Sequence, residues 1–125
     1  MAVSQRTDYP EIVERLIDLG LSEDPAFEAE ILGDFLCDAE RVVSALGKAI
    51  VQRDATECER LAHRLKGASQ NLGATALSVP ANELEQAGRD GDLTNAPQAQ
   101  ERLAAEFESV REFLRRRIRS IQSAS

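Results

Sequence analysis

Apolar residues recur at intervals of three or four along almost the whole 125-residue chain, and this spacing limits the possible folds more than any other feature. One face of an α-helix repeats about every 3.6 residues, whereas a half-buried strand alternates apolar and polar side chains. No stretch of the sequence keeps that alternation long enough to predict a strand. The pattern therefore predicts an all-α protein.

The first two predicted helices are separated by clear stop and start signals. A short helix ends at Gly20, and a long helix begins at Pro25 behind the N-cap Asp24 and continues to about Val51. Proline suits the first helical position because its missing N–H would have no partner there. The apolar stripes of these two helices are Ile12, Val13, Leu16 and Leu19, then Phe27, Ile31, Phe35, Val42, Leu46 and Ile50.

The third helix is predicted to begin behind the N-cap Asp54, with Glu57 reaching back as in a capping box. A glycine signal near residues 71–73 ends it. Its buried face is predicted from the helical phase to contain Cys58, Leu61, Leu65, Ala68 and Leu72.

The fourth predicted helix covers about residues 74–87, with a kink or loosened first turns at Pro80, and residues 88–92 form the next turn. A fifth helix fills the rest of the chain, and fraying is expected at about residues 1–8 and 120–125. Four long amphipathic helices joined by short turns predict a single domain over the whole chain. Its architecture would be an antiparallel up-and-down four-helix bundle, with the short first helix covering one end.

The formal net charge of −7 argues against a nucleic-acid binder, because binding to phosphates requires a basic face. Five arginines near the C-terminus are a local exception: Arg111, Arg115, Arg116, Arg117 and Arg119. We interpret them as a solvated helix face whose cations suit the negative end of the helix dipole, rather than as a nucleic-acid or membrane patch. No apolar run approaches the length that crosses a membrane.

Cys37 and Cys58 are the only cysteines, and both fall at apolar helical positions. Together with the absence of a signal peptide pattern, they predict buried, reduced thiols in a cytoplasmic protein. One histidine and two distant cysteines do not have the spacing of a metal site, so no metal ligand is expected.

His63 is the only histidine, and the helical phase turns it away from the predicted core. At about 100° per residue it shares the opposite face of the third helix with Glu59, Lys66, Gly67 and Gln70. Most exposed histidines have no function, so the neighbouring residues decide how this one is interpreted.

Lys66, one turn along the same face, could attract and neutralise a phosphoryl group bonded to the ring. Gly67 costs roughly 1 kcal/mol in a helix relative to alanine, and we expect it to clear an approach for a partner protein. Gln70 is either a donor to phosphate oxygens or simply a polar surface residue. The set has no partnered serine or cysteine nucleophile, phosphate-binding loop or acidic magnesium cluster, so it can carry a group but is poorly equipped to activate one.

The stretch AHRLKGASQNLGA, residues 62–74, resembles the signature of histidine-containing phosphotransfer (HPt) domains, His-x-Leu-Lys-Gly followed by Leu-Gly-Ala. The matching residues are His63, Leu65, Lys66, Gly67, Leu72, Gly73 and Ala74. The later LEQAGRDGD, residues 84–92, is similar as well, and so are the long helices around the signature. The resemblance covers nearly the whole chain.

The resemblance implies that His63 accepts a phosphoryl group from the aspartate of one response-regulator receiver domain and passes it to another. Lys66 would stabilise the phosphoryl oxygens and Gly67 would leave room for the receiver. Glu85 or Gln86 would hydrogen-bond the other ring nitrogen. Residues expected at the contact with the partner are Glu59, Arg64 and Asn71.

The same resemblance implies a monomeric phosphocarrier rather than an enzyme, with receiver domains or a hybrid sensor histidine kinase as partners. The Mg²⁺ for the transfer would be bound by the receiver, so the chain would need no cofactor of its own.

Two alternatives use the same helices. The first is a phosphoacceptor and dimerisation domain of a histidine kinase, or the histidine domain of a chemotaxis-type kinase. The dimerisation domain usually has an acidic residue directly after its histidine, whereas this chain has Arg64. The second alternative is a helical adaptor whose histidine is inert.

Overall fold

The structure is a computed structural model that describes residues 8–124. Within that range the chain forms five α-helices and one 3₁₀ turn, with no strand, which confirms the all-α class. The elements are α1 (Pro10–Asp18), the 3₁₀ turn (Leu21–Glu23), α2 (Pro25–Val51), α3 (Ala55–Leu72), α4 (Thr75–Asp90) and α5 (Ala96–Ser123). Helix α5 continues past residue 120, where fraying was predicted, and the fraying predicted for residues 1–8 falls almost wholly outside the described range.

The four long helices form a closed antiparallel bundle, as the sequence predicts. Helices α2 and α4 each pack against both α3 and α5, and the most extensive contact is between α3 and α4. Helix α1 covers one end, where Ile12 and Leu16 are buried and the Tyr9 ring packs edge-on against Phe113 with centroids 5.4 Å apart. No helix within residues 8–124 is both long and apolar enough to cross a membrane.

Side chains cap the starts of α2 and α3. Those of Asp24 and Asp54 each accept a hydrogen bond from the backbone N–H three residues further on, as predicted. The other predicted contact of the capping box, in which the Glu57 side chain reaches back to the backbone of Asp54, is wrong. The Glu57 carboxylate instead accepts two hydrogen bonds from Arg60, at 2.9 and 2.7 Å, and the N–H of Asp54 donates to the carbonyl of Ala49.

Helix α4 is longer than predicted. It continues through the residues expected to form a turn and ends at Asp90, because Gly91 rather than Gly88 adopts the left-handed conformation, with φ +69°. Gly88 lies inside the helix, where it contacts the backbone of α3. A kink or loosened turns were predicted at Pro80, and α4 continues as one helix through that residue.

A buried ion pair between α2 and α5 changes the apolar stripe that was predicted for the start of α2. Glu28 is 1% exposed, and its carboxylate accepts hydrogen bonds from Nε of Arg117 at 2.5 Å and from Nη2 at 3.3 Å. Glu28 takes the interior position, and the neighbouring Phe27 lies about 100° away around α2 and is 46% exposed, so its predicted place in the core is wrong. Leu19 is also exposed, because it is the C-cap beyond the end of α1.

The arginines near the C-terminus are only partly the solvated face that was predicted. Arg117 is held by the buried Glu28, and Arg111 donates to Glu40 at 2.9 Å and also to Glu108. Arg115 is exposed on the same helix.

The two cysteines differ in burial. Cys58 is buried as predicted, its thiol donates to the Leu84 carbonyl at 3.6 Å, and burial raises the pKa of that thiol. Cys37 is exposed, so its predicted burial is wrong. Ala39 is among the buried residues of α2. Cys37 precedes it by two residues, which is about 200° around the helix, so Cys37 faces away from that buried side.

The left-handed glycine after α3 provides a test of how α1 is attached. A Cβ on Gly73, where φ is +83°, would lie 2.8 Å from the carbonyl oxygen of Glu11 in α1. We expect Gly73→Ala to cost about 1–2 kcal/mol for the left-handed conformation, and more because α1 must move. Gly91→Ala is the matched control, since its φ is +69° and an added Cβ would meet nothing within 4 Å. Urea unfolding should show the larger loss for Gly73→Ala, and equal losses would contradict the contact with α1.

Candidate functional site

His63 lies near the middle of α3, and its side chain is 71% exposed, outside the core as the helical phase predicts. The buried face of α3 is wider than predicted. It includes Ala62 and Ser69, whereas Ala68 is only half-buried. The difference arises because α3 packs against both α2 and α4, so its buried surface extends around more of the helix.

A buried carboxylate from α4 reaches the ring of His63. The side chain of Glu85 is 2% exposed, and its Oε2 lies 2.8 Å from Nδ1 of His63. Of the two residues that the HPt resemblance offers for this position, Glu85 makes the contact, whereas Gln86 is exposed beside it.

Lys66 binds the same carboxylate from α3. Its Nζ lies 2.5 Å from Oε1 of Glu85 and 3.4 Å from the side-chain oxygen of Asn82. The hydrogen bond from Lys66 holds the pKa of Glu85 below its ordinary value; burial opposes this effect, and the hydrogen bond with His63 adds to it. Glu85 is therefore ionised at neutral pH.

Arg89 is a second cation on this carboxylate. Its Nη2 lies 3.0 Å from Oε2 of Glu85, the same oxygen that contacts His63, and its Nε donates to Glu59 of α3 at 3.2 Å. Two carboxylates and two cations thus alternate across the α3–α4 contact. We call Glu59, His63, Lys66, Glu85 and Arg89 the His63 cluster.

The ionised state of Glu85 determines which ring nitrogen of His63 carries a hydrogen. An ionised carboxylate can only accept hydrogen bonds, so the 2.8 Å contact requires a hydrogen on Nδ1 of His63. In the neutral ring the other nitrogen, Nε2, then carries the free electron pair. The cluster therefore holds the ring at one nitrogen and leaves the second as a nucleophile on an exposed side chain.

The remaining residues predicted for the site lie around the cluster rather than in it. A Cβ on Gly67 would meet nothing within 4 Å, so the surface next to the ring is open there. Gln70 and Asn71 are exposed about two turns further along α3. Arg64 forms an ion pair with Asp38 of α2, across the α2–α3 contact.

Arg89 and Asn82 were missed by sequence reasoning. Arg89 was placed in the predicted turn at residues 88–92, although its spacing of four from Glu85 is the signal for a shared helix face. Asn82 contacts Lys66 across the helix pair, and a register between α3 and α4 would have been needed to find it.

Comparisons with known proteins identify the family and the fold. The family model described as the Hpt domain matches residues 30–113. No curated protein sequence matches the chain.

Two solved structures are similar over most of the chain. Histidine-containing phosphotransfer protein B (HptB) from Pseudomonas aeruginosa PAO1 has a TM-score of 0.78 and 29% sequence identity, covering 94% of this chain and 98% of that chain. A rice protein described as a histidine-containing phosphotransfer protein also has a TM-score of 0.78, at 21% identity, covering 88% and 81% of the two chains. At that identity, the likeness to the rice protein shows the fold alone.

The lowered pKa of Glu85 predicts how its contribution to stability depends on pH. A carboxylate whose pKa falls on folding stabilises the protein above the pH where it titrates in the unfolded chain, about pH 4.3, and loses this effect as the pH falls through its folded-state pKa. We expect Glu85→Gln to be less stable than the wild type by roughly 1–3 kcal/mol at neutral pH, because Lys66 loses its ionised partner.

Urea unfolding over a series of pH values measures this difference, which should shrink below about pH 4.3. Glu83→Gln is the control, because its carboxylate pairs with Arg102 on the surface and should contribute about 0.5 kcal/mol or less. A Glu85→Gln difference that does not change with pH would contradict the assignment of an ionised Glu85.

Proposed function

This chain belongs to the Hpt domain family, and we propose that His63 is the residue on which it carries a phosphoryl group. Membership of this family makes the chain an intermediate of a phosphorelay in two-component signal transduction. The observation that carries the assignment of His63 is its 2.8 Å contact with the buried carboxylate of Glu85, which orients the ring and leaves Nε2 as the nucleophile.

In the proposed reaction, the electron pair on Nε2 of His63 attacks the phosphorus of an aspartyl phosphate on a receiver domain. The Nε2–P bond forms while the bond between phosphorus and the aspartyl oxygen breaks, and the aspartate leaves as a carboxylate. The hydrogen on Nδ1 stays on the ring and donates to Glu85 throughout. Transfer to a second receiver is the same step in reverse.

Lys66 and Gly67 have different roles in this proposal. Lys66 is 23% exposed and holds Glu85, so it stabilises phosphoryl oxygens by sharing its ammonium between the carboxylate and the phosphoryl group. Gly67 has open space beside it, which allows a partner surface to approach the ring. Gln70 lies one turn beyond Lys66 and Gly67 on α3 and could donate to the phosphoryl oxygens from there.

The partners that we propose are receiver domains, alone or within a hybrid sensor histidine kinase. An imidazole that is 71% exposed suits transfer to another protein, because that protein can enclose the reacting atoms. Its surface would contact Glu59, Arg64 and Asn71 around the ring. Both cysteines in the described chain are free thiols, which supports a cytoplasmic location.

We further propose that the chain is a phosphocarrier rather than an enzyme. Within residues 8–124 no group of three or more histidine, cysteine, aspartate or glutamate side chains could hold a metal ion. The receiver would therefore contribute the Mg²⁺, whose positive charge would neutralise the phosphoryl oxygens during transfer.

The alternative of a kinase dimerisation domain is less well supported. A dimerisation domain completes its four-helix bundle with helices from a second copy, whereas here α2, α3, α4 and α5 of one chain close the bundle. This favours a monomer. An inert histidine is disfavoured by the 2.8 Å contact with the buried Glu85, because an exposed ring without a function needs no partner that orients it.

Replacing the histidine tests the proposed function directly. We expect His63→Gln to fold normally, because the side chain is exposed, and to accept no phosphoryl group from a phosphorylated receiver. Radiolabelled transfer from the receiver measures acceptance, and circular dichroism checks the fold. A folded variant that still becomes labelled would show that another residue is the acceptor.

A further inference from the structure

Helices α3 and α4 approach one another very closely at Gly88. A Cβ at this position would lie 2.6 Å from the carbonyl oxygen of Ala55, 2.6 Å from the backbone nitrogen of Glu59 and 2.9 Å from its Cα. These are backbone atoms of α3, which cannot rotate away as the end of a flexible side chain can. The two helices can pack at this distance only because residue 88 has no side chain.

This close approach is adjacent to the contact between Glu85 and His63. In the antiparallel pair, Gly88 of α4 lies against Glu59 of α3. His63 is one turn beyond Glu59 on α3, and Glu85 is one turn before Gly88 on α4. The 2.8 Å contact between Nδ1 of His63 and Oε2 of Glu85 therefore lies one helical turn away from the close approach at Gly88.

We propose that Gly88 is a positioning residue of the His63 cluster. The absence of a side chain at this position sets the separation of α3 and α4 at which the carboxylate of Glu85 reaches the imidazole. The effect on the ring follows from geometry alone, and only the effect on phosphoryl transfer rests on the proposed function.

A methyl group at Gly88 would separate the helices by several tenths of an ångström, because non-bonded atoms do not approach within 3.0 Å of a Cβ. Moving the 2.6 Å contacts out to between 3.0 and 3.4 Å would lengthen the 2.8 Å contact between Nδ1 and Oε2 to about 3.2–3.6 Å, at or beyond the limit for an N–H···O hydrogen bond. The contact of Lys66 would change less, since its Nζ lies 2.5 Å from the same carboxylate and would stay within ion-pair distance after the same shift. The predicted consequence is a ring that is no longer held at Nδ1.

Other glycines inside the helices do not have this role. Gly33 and Gly67 would each place an added Cβ in open space, and Gly47 would place it 3.5 Å from the side chain of Gln100, an ordinary contact. Alanine at Gly33 and Gly47 should therefore stabilise α2, by up to about 1 kcal/mol each. The added stability of a G33A/G47A variant would offset the strain of an alanine at residue 88, so that the variant with all three changes can still fold.

The test compares two variants, G33A/G47A and G33A/G47A/G88A. His63 is the only histidine, so NMR of protein labelled with ¹⁵N at histidine reports a single imidazole. The two ring nitrogen shifts show which nitrogen carries the hydrogen. The double variant should carry it on Nδ1. The triple variant should be folded, should lose this preference and populate both tautomers, and should accept a phosphoryl group about tenfold more slowly.

Two results would overturn the proposal. The first is a triple variant in which the hydrogen stays on Nδ1 as in the double variant. The second is a triple variant that does not fold, because Gly88 would then be required for the bundle as a whole rather than for the Glu85–His63 distance. A loss of the Nδ1 preference in a protein whose double variant accepts no phosphoryl group would support the positioning role and contradict the proposed function.

Discussion

The carboxylate of Glu85 is ionised while it is buried between α3 and α4, and the properties of the site depend on the groups that keep it so. An unpartnered charge in such a place costs several kcal/mol, and the group would become neutral instead. Lys66 and Arg89 supply positive charge, and His63 supplies a hydrogen bond from Nδ1. Lys66 and His63 lie on α3, whereas Glu85 and Arg89 lie on α4. The contacts of Lys66 and His63 with the charge of Glu85 therefore also join the two helices in one register.

The charges of the His63 cluster bear on how a phosphoryl group would be carried. Lys66 is paired with Glu85, and Arg89 is shared between Glu85 and Glu59, so both cations already have carboxylate partners before any phosphoryl group is present. In the proposed function, the negative charge that arrives on the ring must share Lys66 with a carboxylate. Stabilisation of the phosphorylated state is then incomplete, which suits a group that has to leave again for a second partner.

The sequence predicted those features that depend on local signals. Helical period and caps placed α2 and α3 within a residue or two, and the phase of α3 turned His63 outward. Predictions failed where a contact distant in sequence decides the outcome. Glu28 is buried where it pairs with Arg117, 89 residues later, and the neighbouring Phe27 is exposed. Gly88 was assigned to a turn because a glycine usually ends a helix, but its backbone contact with α3 keeps it inside α4. Arg89 was assigned to the same turn, so its contact with Glu85 was not predicted.

In the proposed function, Glu85 holds Nδ1 of His63 and leaves Nε2 to accept the phosphoryl group. The most direct measurement is the phosphorus–nitrogen coupling in ¹⁵N-histidine-labelled protein after phosphorylation by a receiver domain. Since the chain has a single histidine, the coupled nitrogen identifies the bond without ambiguity. The geometry predicts coupling to Nε2, with a hydrogen retained on Nδ1. Coupling to Nδ1, or phosphate on any other residue, would contradict this role of Glu85 and His63.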